Sequence, residues 1–450
     1  MKNTLTALIL LIAISTSAQQ SFSLEEAIDF ALENNRTAIN ASRDIDAAKK
    51  QKWETTASGL PQISAAIDYQ NYLKQPVSLI PAEFFGGEPG EFAEVTFGTK
   101  QNVNAVATLN QLIFDGSYLV GLQSAKVFLE ISKNAKVKTD LEVRKQVINA
   151  YGNVLLAEAS IDILEKNKAT LEKNVFEVQK TYENGLAEEE SVEQLKITLA
   201  GVESSLSNNK RLRDIAYKML NMALGLDINV QLELTDDLNS LTAKNIIIGL
   251  VDTPFLLENN IDYKIAKNDE RSKQLLMKYE KTKALPTINA FLNGGYQSFA
   301  DDDFPFLDKD QEWFGSSIFG VSVNIPIFSS LARSARTQRA KIEFEKAKTQ
   351  LTDTEQRIKL ELQNAQSNYQ YVVEQYETAK QNLELAERIE QKNQVKFSEG
   401  IASSFDLRQA QTQLYTSQQE YLQAMVNVIN QKAELETILN SEQLINQEQD

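Results

Sequence analysis

Residues 182–187 read YENGLA and residues 397–402 read FSEGIA, and this repeated turn decides the fold. The glycines Gly185 and Gly400 each follow a run, over 117–183 and 329–398, that contains no proline. Glycine readily takes the left-handed conformation that ends a helix and reverses the chain. Two long helical hairpins are therefore predicted, each turning at one of these glycines.

Three further pairs of stretches keep the same order and identify an internal duplication. ENN occurs at 33–35 and again at 258–260. GLPQI at 59–63 has its counterpart in ALPTI at 284–288, and QLIF at 111–114 has its counterpart in IPIF at 325–328. The offsets are 214 to 225 residues. We therefore divide the chain into five parts: a signal peptide (1–18), a first repeat (19–225), a linker (226–253), a second repeat (254–440) and a C-terminal tail (441–450).

Each repeat is interpreted as helix, strand, loop, strand, very long helix, tight turn and helix. The first long helix is predicted over 117–183, which corresponds to about 100 Å at 1.5 Å per residue. Apolar residues recur every seven positions, a pattern typical of coiled-coil packing, as in Leu407, Leu414, Tyr421, Val428 and Leu435. The helices at 24–56 and 188–224 together match the long helix in length, so we expect them to stack end to end beside it.

Four strands are predicted between the helices, where the apolar period changes to two. They are centred on residues 63–70, 103–110, 288–292 and 319–325, and aromatic residues such as Tyr69, Tyr296 and Trp313 lie near their ends. Strands of about ten residues with aromatic ends are typical of membrane barrels, although a half-buried sheet in a soluble protein gives the same pattern. Membrane strands must form a closed sheet, and four are too few. Three copies would supply twelve strands, whereas two copies would leave almost no lumen.

The N-terminus is typical of a secretory signal peptide. Lys2 precedes an apolar run over 5–14, and the small residues Thr16 and Ala18 suit a cleavage site. The apolar run is too short to span a bilayer, and a buried N-terminal helix is the alternative interpretation. No later stretch approaches the roughly 18 consecutive apolar residues of a membrane-spanning helix.

The composition excludes most catalytic chemistry. The chain has no Cys and no His, which removes disulfides, thiolate chemistry, most zinc sites and His-based acid–base catalysis. Its 46 basic and 62 acidic side chains give a net charge of −16, which does not favour nucleic acid as a partner. The acidic residues follow helix faces as solvated charges. We therefore expect neither an enzyme nor a cofactor or metal site.

The order of these features resembles the TolC-type outer-membrane efflux protein family. The resemblance covers the whole mature chain and includes FDG at 114–116 and FSS at 328–330, each before a long helix, while the loop at 80–90 resembles that of Bacteroidetes-like members. It implies a homotrimer with a twelve-stranded β-barrel in outer membrane lipid and an α-helical barrel in the periplasm. It also implies partners, namely a periplasmic adaptor and an inner-membrane pump of the RND or ABC type, for efflux or type I secretion.

The resemblance also implies a periplasmic gate at the two turns. It assigns an acidic ring to Asp406, while a single helix-start acid stabilised by the helix dipole is the alternative. The position one turn later is Gln409, and the first tip has Ser191 where an acid is common. The apolar tip residues are candidates for adaptor contact or for packing inside the hairpin ends: Tyr182, Leu186, Phe397 and Ile401.

A second class of function is a periplasmic coiled-coil adaptor or scaffold whose strands form a soluble domain. Adaptors usually show one helical hairpin within a mixed β region, whereas this sequence has two hairpins at the offset of the repeat. The channel is therefore the favoured interpretation.

Overall fold

The computed structural model describes residues 20–247, 249–301 and 303–439. The predicted signal peptide and the tail at 441–450 lie outside the described residues. The described part contains eight α-helices: α1 (Leu24–Asn34), α2 (Arg36–Ala57), α3 (Gly116–Glu183), α4 (Glu189–Leu224), α5 (Leu238–Asn245), α6 (Ile261–Thr282), α7 (Ala332–Ser398) and α8 (Ser404–Leu439). It also contains eight strands: β1 (Gln20–Phe22), β2 (Gln62–Asn71), β3 (Val77–Pro81), β4 (Phe92–Thr96), β5 (Gln101–Asp115), β6 (Leu232–Leu234), β7 (Thr287–Ala300) and β8 (Phe314–Asn324).

The predicted fold class is confirmed, with two helical hairpins and a four-stranded sheet in one chain. The long helices α3 and α7 have 68 and 67 residues, and the returning helices α4 and α8 have 36 residues each. The two repeats thus build hairpins of nearly equal length, as the spacing of the two glycine turns predicts.

The four predicted strands form one antiparallel sheet in the order β2-β5-β7-β8. The pairing is continuous except for a bulge in β5 between Leu112 and Phe114. The strands β2 and β8 form the two edges of the sheet. Within one chain the sheet is therefore open, and the closed barrel is not formed by a single copy.

The first helix differs from the prediction, because it is broken at Asn35 into α1 and α2. Asn35 has an extended backbone, with φ −62° and ψ 132°, and its side chain is buried. The Nδ2 of Asn35 donates a hydrogen bond of 2.7 Å to the carbonyl of Ala223 near the end of α4. Its Oδ1 accepts the N–H of Thr37 at 2.8 Å and so caps the start of α2.

Asn260 makes the same arrangement in the second repeat. Its Nδ2 donates to the carbonyl of Ile438 at 2.8 Å, and its Oδ1 accepts the N–H of Asp262 at 3.0 Å. The repeated asparagine therefore joins the start of one helix to the last turn of another, in each repeat. The junction lies at the helix ends where end-to-end stacking is predicted.

The loop of the first repeat, which is predicted only as a loop, contains two further strands. The strands β3 and β4 pair as an antiparallel hairpin around a 3-10 turn at Ala82–Phe85. The equivalent loop of the second repeat contains one 3-10 turn, at Pro305–Leu307. The longer loop is thus an additional β-hairpin.

The chain divides into two compact units, and each contains parts of both repeats. Among the described residues, one unit comprises 20–46, 130–247, 249–268 and 348–439, and the other comprises 47–129, 269–301 and 303–347. The predicted boundaries follow the sequence repeat rather than these units, and they stay a prediction.

The first unit has its core where the linker 226–253 meets the helices. Strand β6 of the linker pairs in parallel with β1, and Leu238 and Leu241 of α5 are buried in this core. The Tyr151 hydroxyl is hydrogen-bonded to Asp236 at 3.0 Å, and burial is the main cause that raises the pKa of Tyr151. The linker is therefore an integral part of the unit.

One described helix, α3, contains an 18-residue window apolar enough to cross a membrane, with a mean hydropathy of 1.2. Half of that window is buried within the protein. The α3 residues Val147, Tyr151 and Val154 are fully buried in the core of the first unit. Packing in a protein core accounts for this apolar character.

Candidate functional site

The two hairpin turns have the same backbone geometry. Gly185 and Gly400 have φ angles of +74° and +71°, in the left-handed region. In each turn the residue after the glycine donates its N–H to the carbonyl five residues earlier, at 3.0 Å in the first turn and 2.8 Å in the second. A Cβ at either glycine would meet no atom within 4 Å, so the glycine is needed for its backbone angle rather than for space.

Asp406 is part of a capping box at the start of α8. Its Oδ2 accepts the N–H of Ser403 at 3.0 Å and the hydroxyl of Ser403 at 2.7 Å. The Ser403 Oγ in turn accepts the N–H of Asp406 at 3.2 Å. These hydrogen bonds, with a smaller contribution from the charge of Lys396, lower the pKa of Asp406. Asp406 is therefore an exposed, ionised acid that also stabilises its own helix start.

Ser191 contacts the second hairpin, but no hydrogen bond among the described residues joins it to Asp406. The buried Ser404 donates its hydroxyl towards Ser191 Oγ and Gln194 Oε1, each at 3.2 Å. Gln409 is exposed on α8. Ser191 therefore serves as a link between the two hairpins of one chain, and the acidic ring across three copies stays a prediction.

The apolar tip residues fall into two groups. Leu186 is 80% exposed and Ile401 is 76% exposed, each directly after its turn glycine, and Tyr182 is also exposed. Phe397 is instead half-buried and packs against the cluster that contains Leu171, Val178, Val192 and Leu195. Of the four predicted tip residues, Tyr182, Leu186 and Ile401 are therefore exposed, whereas Phe397 fills the interior of the hairpin end.

A row of uncharged polar contacts between the hairpins was not predicted. Asn174 and Gln394 are linked by two hydrogen bonds, and Asn167 Nδ2 donates to Gln418 Oε1 at 2.9 Å. Both asparagines are buried. Seven-residue spacing could have revealed this row, since it separates Asn167 from Asn174 and also links Ser404, Gln411 and Gln418. The apolar heptad positions alone do not reveal it.

A buried polar cluster lies nearby in the second hairpin, around Gln411 of α8. Gln411 is fully buried, and Glu390 of α7 and Tyr415 of α8 are both partly withdrawn from solvent. Burial raises the pKa of Glu390, and the nearby side chain of Gln411 opposes this effect by a smaller amount. Burial and then the charge of Glu390 raise the pKa of Tyr415. Among the described residues of the hairpins, Glu390 is the one carboxylic acid whose pKa is raised by burial.

Comparison with known proteins identifies one family and several structures of the same fold. A family model described as outer membrane efflux protein matches residues 27–226 and 255–441. The match covers both repeats of the chain. No curated protein sequence matches the chain significantly.

Three solved structures illustrate the similarity of fold. The outer membrane protein VceC from Vibrio cholerae is 16% identical, with a TM-score of 0.71 over 93% of this chain and 96% of that chain. The Campylobacter jejuni CmeC outer membrane channel is 16% identical, with a TM-score of 0.72 over 94% and 89%. The open state of the Neisseria gonorrhoeae MtrE outer membrane channel is 16% identical, with a TM-score of 0.71 over 93% and 88%. At this identity the likeness shows the fold.

Proposed function

The chain belongs to the outer membrane efflux protein family, and from this membership we propose how its channel assembles, docks and closes. It is a channel subunit of an outer-membrane efflux system, and the family and fold are those of channel proteins. Substrate passage through a channel needs no catalytic group. The alternative of a soluble periplasmic adaptor has no comparable support.

The open sheet is the observation that carries the proposed assembly. Its edge strands β2 and β8 pair with one strand each, on the inner side only. A bilayer does not tolerate unpaired backbone groups at a sheet edge. We propose that β8 of one copy pairs with β2 of the next, and that three copies close a barrel of twelve strands.

The two faces of the sheet support this barrel. Direct partners in an antiparallel sheet lie on the same face, so the register groups residues into rows. One row is apolar and joins Ile63, Leu109, Leu292 and Phe319. The other face carries polar rows: Ser64 with Thr108 and Asn293, and Asp68 with Asn104 and Gln297. The apolar face suits lipid, and the polar face suits a water-filled lumen.

The natural absence of cysteine allows a direct test of this assembly. We would place one cysteine at Ala66 on β2 and a second, in separate variants, at Ser316, Ile318, Gly320 or Ser322 on β8. Oxidation should trap covalent trimers in one of these four variants, the one whose β8 position lies opposite Ala66 of the neighbouring copy. The reason is that a disulfide requires Cβ atoms about 3.8 Å apart. The single Ala66→Cys variant is the control. Trapped dimers only, or no product in any register, would contradict the trimer.

Docking on a periplasmic adaptor and an inner-membrane pump is proposed for the hairpin tips. Leu186 and Ile401 are 80% and 76% exposed, and each lies at the end of a hairpin directly after the turn glycine. Exposed apolar groups of this kind mark protein contacts. Replacing both by Ser should abolish efflux in cells while leaving bilayer conductance of the purified trimer unchanged. Unchanged efflux would assign these residues no role in docking.

We further propose that the same tips contain the gate. Asp406 in three copies would form a ring of carboxylates around the channel axis, which attracts multivalent cations. The uncharged contacts of Asn174, Asn167 and Ser404 would hold the two hairpins of each chain together in the closed state. Opening would then separate the hairpins and widen the ring.

A further inference from the structure

Residues 303–307, which lie in the loop between β7 and β8, pack on one defined face of the sheet. That face can be identified from the register. Tyr69 of β2 pairs with Val103 of β5, and Val103 pairs with Ser298 of β7. Tyr69 also lies at even steps along β2 from Ile63, so both residues project from the same face. This is the apolar face that the proposed barrel turns towards lipid.

Aromatic contacts fix the loop to this face. The ring of Phe304 lies 5.4 Å from that of Tyr69, and the ring of Phe306 lies 6.0 Å from it. The two phenylalanine rings are 5.2 Å apart in an edge-to-face arrangement. Phe306 is only 5% exposed, and Val103 beneath the loop is also buried. Distances and edge-to-face geometry of this kind are favourable for aromatic pairs.

Hydrogen bonds fix the same segment. Gln101, which pairs with Asn71 and Ala300 on the apolar face, donates its Nε2 to the carbonyl of Asp303. The Tyr69 hydroxyl donates to Gln101 Oε1 at 2.9 Å. Tyr69 thus supports the segment both through its ring and through the amide of Gln101. The loop is held outside the polar face that lines the proposed lumen.

Two apolar side chains of the segment remain uncovered. Phe304 is 53% exposed and Leu307 is 88% exposed. They lie beside the strand ends, where aromatic and apolar residues of membrane barrels meet the lipid headgroups. Their surface is continuous with the apolar face of the sheet through Tyr69.

We propose that residues 303–307 form a membrane anchor, in which Phe304 and Leu307 insert into the interfacial layer of the outer leaflet. The proposal rests on the proposed function, because it requires that the sheet spans the outer membrane. It also assigns this segment to the outside of the barrel rather than to a plug across the channel mouth. The occupant is lipid and not protein.

Single tryptophans report the surroundings of each position. The two natural tryptophans, Trp53 and Trp313, are first replaced by Phe, and the full-length trimer is reconstituted in phosphatidylcholine vesicles with or without brominated acyl chains. The probes are Phe304→Trp and Leu307→Trp. Two matched controls share the sheet: Phe319→Trp on the apolar face, and Phe314→Trp, whose partner Gln297 places it on the polar face. An SDS-resistant trimer on gels confirms that each variant is assembled.

Brominated lipid should quench the tryptophan at 319, 304 and 307, and iodide in the water should quench only the one at 314. If lipid quenches the tryptophan at 319 while iodide alone quenches those at 304 and 307, the anchor is wrong and the segment faces water. Protection of 304 and 307 from both quenchers would overturn it equally, because a neighbouring protein surface would then cover them. If lipid fails to quench the tryptophan at 319, the membrane placement of the sheet itself is wrong.

Discussion

Asn174 and Gln394 exchange two hydrogen bonds of 3.0 Å each and thereby join the long helices α3 and α7. Each amide donates to the other, so both polar groups of this contact are used. Neither side chain carries a charge, and Asn174 is buried. Salt and pH act on charged groups, so this contact between the hairpins is expected to be insensitive to both.

Replacing Asn174 by Ala should weaken the closed state. The substitution removes both hydrogen bonds to the half-buried amide of Gln394, and a hydrogen bond of this kind contributes about 0.5–1.5 kcal/mol. We expect a higher open probability in planar bilayers, with the same ratio to the unmodified channel at low and high salt. Asn393→Ala is the matched control, because Asn393 donates to the carbonyl of Ile389 within its own helix. An unchanged open probability for Asn174→Ala would remove this contact from the gate.

Replacing Asp406 by Asn should weaken block of the channel by multivalent cations. Asparagine keeps an oxygen that can accept the N–H of Ser403 but removes the charge. Because hydrogen bonds from Ser403 lower the pKa of Asp406, the carboxylate of the unmodified channel stays charged at neutral pH. Its block should therefore persist at neutral pH and disappear when acid protonates the carboxylates.

Two further variants separate the charge of Asp406 from its capping role. Asp406→Ala also removes the acceptor for the N–H and hydroxyl of Ser403, whereas the Ser403 Oγ can still accept the backbone N–H at 406. Glu399→Gln removes a nearby charge from the turn and serves as the control for general electrostatics. Equal block in Asp406→Asn and the unmodified channel would leave Asp406 with its capping role alone.

Sequence alone predicts most of this fold, because its signals are repetitive. The glycines at 185 and 400 and the absence of proline before them fix the hairpins, and alternation around Ile63 and Leu109 fixes the strands. The break at Asn35 was missed because α1 and α2 together read as one amphipathic helix. Only the contact of Asn35 with Ala223, 188 positions away in sequence, shows that the chain changes direction there.

The candidate site is less predictable for a physical reason. Sequence places Ser191, Asp406 and Gln409 near the tips, but their contacts depend on how two hairpins pack. Ser191 meets Ser404 across 213 residues, and a helical pattern carries no information about that partner. The polar heptad position at Gln418 does carry such a signal, since a polar residue in an apolar stripe requires a polar neighbour, and Asn167 is that neighbour.

Replacing Glu390 by Gln should stabilise the hairpins at neutral pH. Burial raises the pKa of Glu390, so the folded state disfavours its ionised form. The stability that Glu390 contributes is present in full at a pH below the pKa that it has in the unfolded chain. This stability is lost as the pH rises through the raised pKa of the folded state. Glutamine has no ionised form and avoids that loss. Thermal unfolding of the detergent-solubilised trimer, followed by helical circular dichroism, should show a higher midpoint at neutral pH and no difference at acidic pH.

Glu387→Gln is the control for Glu390, because Glu387 is an exposed acid on the same helix. It should leave the unfolding midpoint unchanged at both pH values. A stabilisation of Glu390→Gln that is equal at acidic and neutral pH would show that burial of charge is not the cause.

Replacing Gly225 by Ala should destabilise the joint between α4 and α2. Gly225 ends α4 with φ +84°, and left-handed backbone costs an alanine about 1–2 kcal/mol. A Cβ there would also lie 2.7 Å from the carbonyl carbon of Asn34, which is backbone and has little freedom to move. Gly400→Ala is the matched control, with φ +71° but no atom within 4 Å of the added Cβ. The unfolding midpoint of the trimer should fall clearly further for Gly225→Ala than for Gly400→Ala. Equal decreases would mean that the backbone angle accounts for the whole effect and that the contact with Asn34 adds nothing.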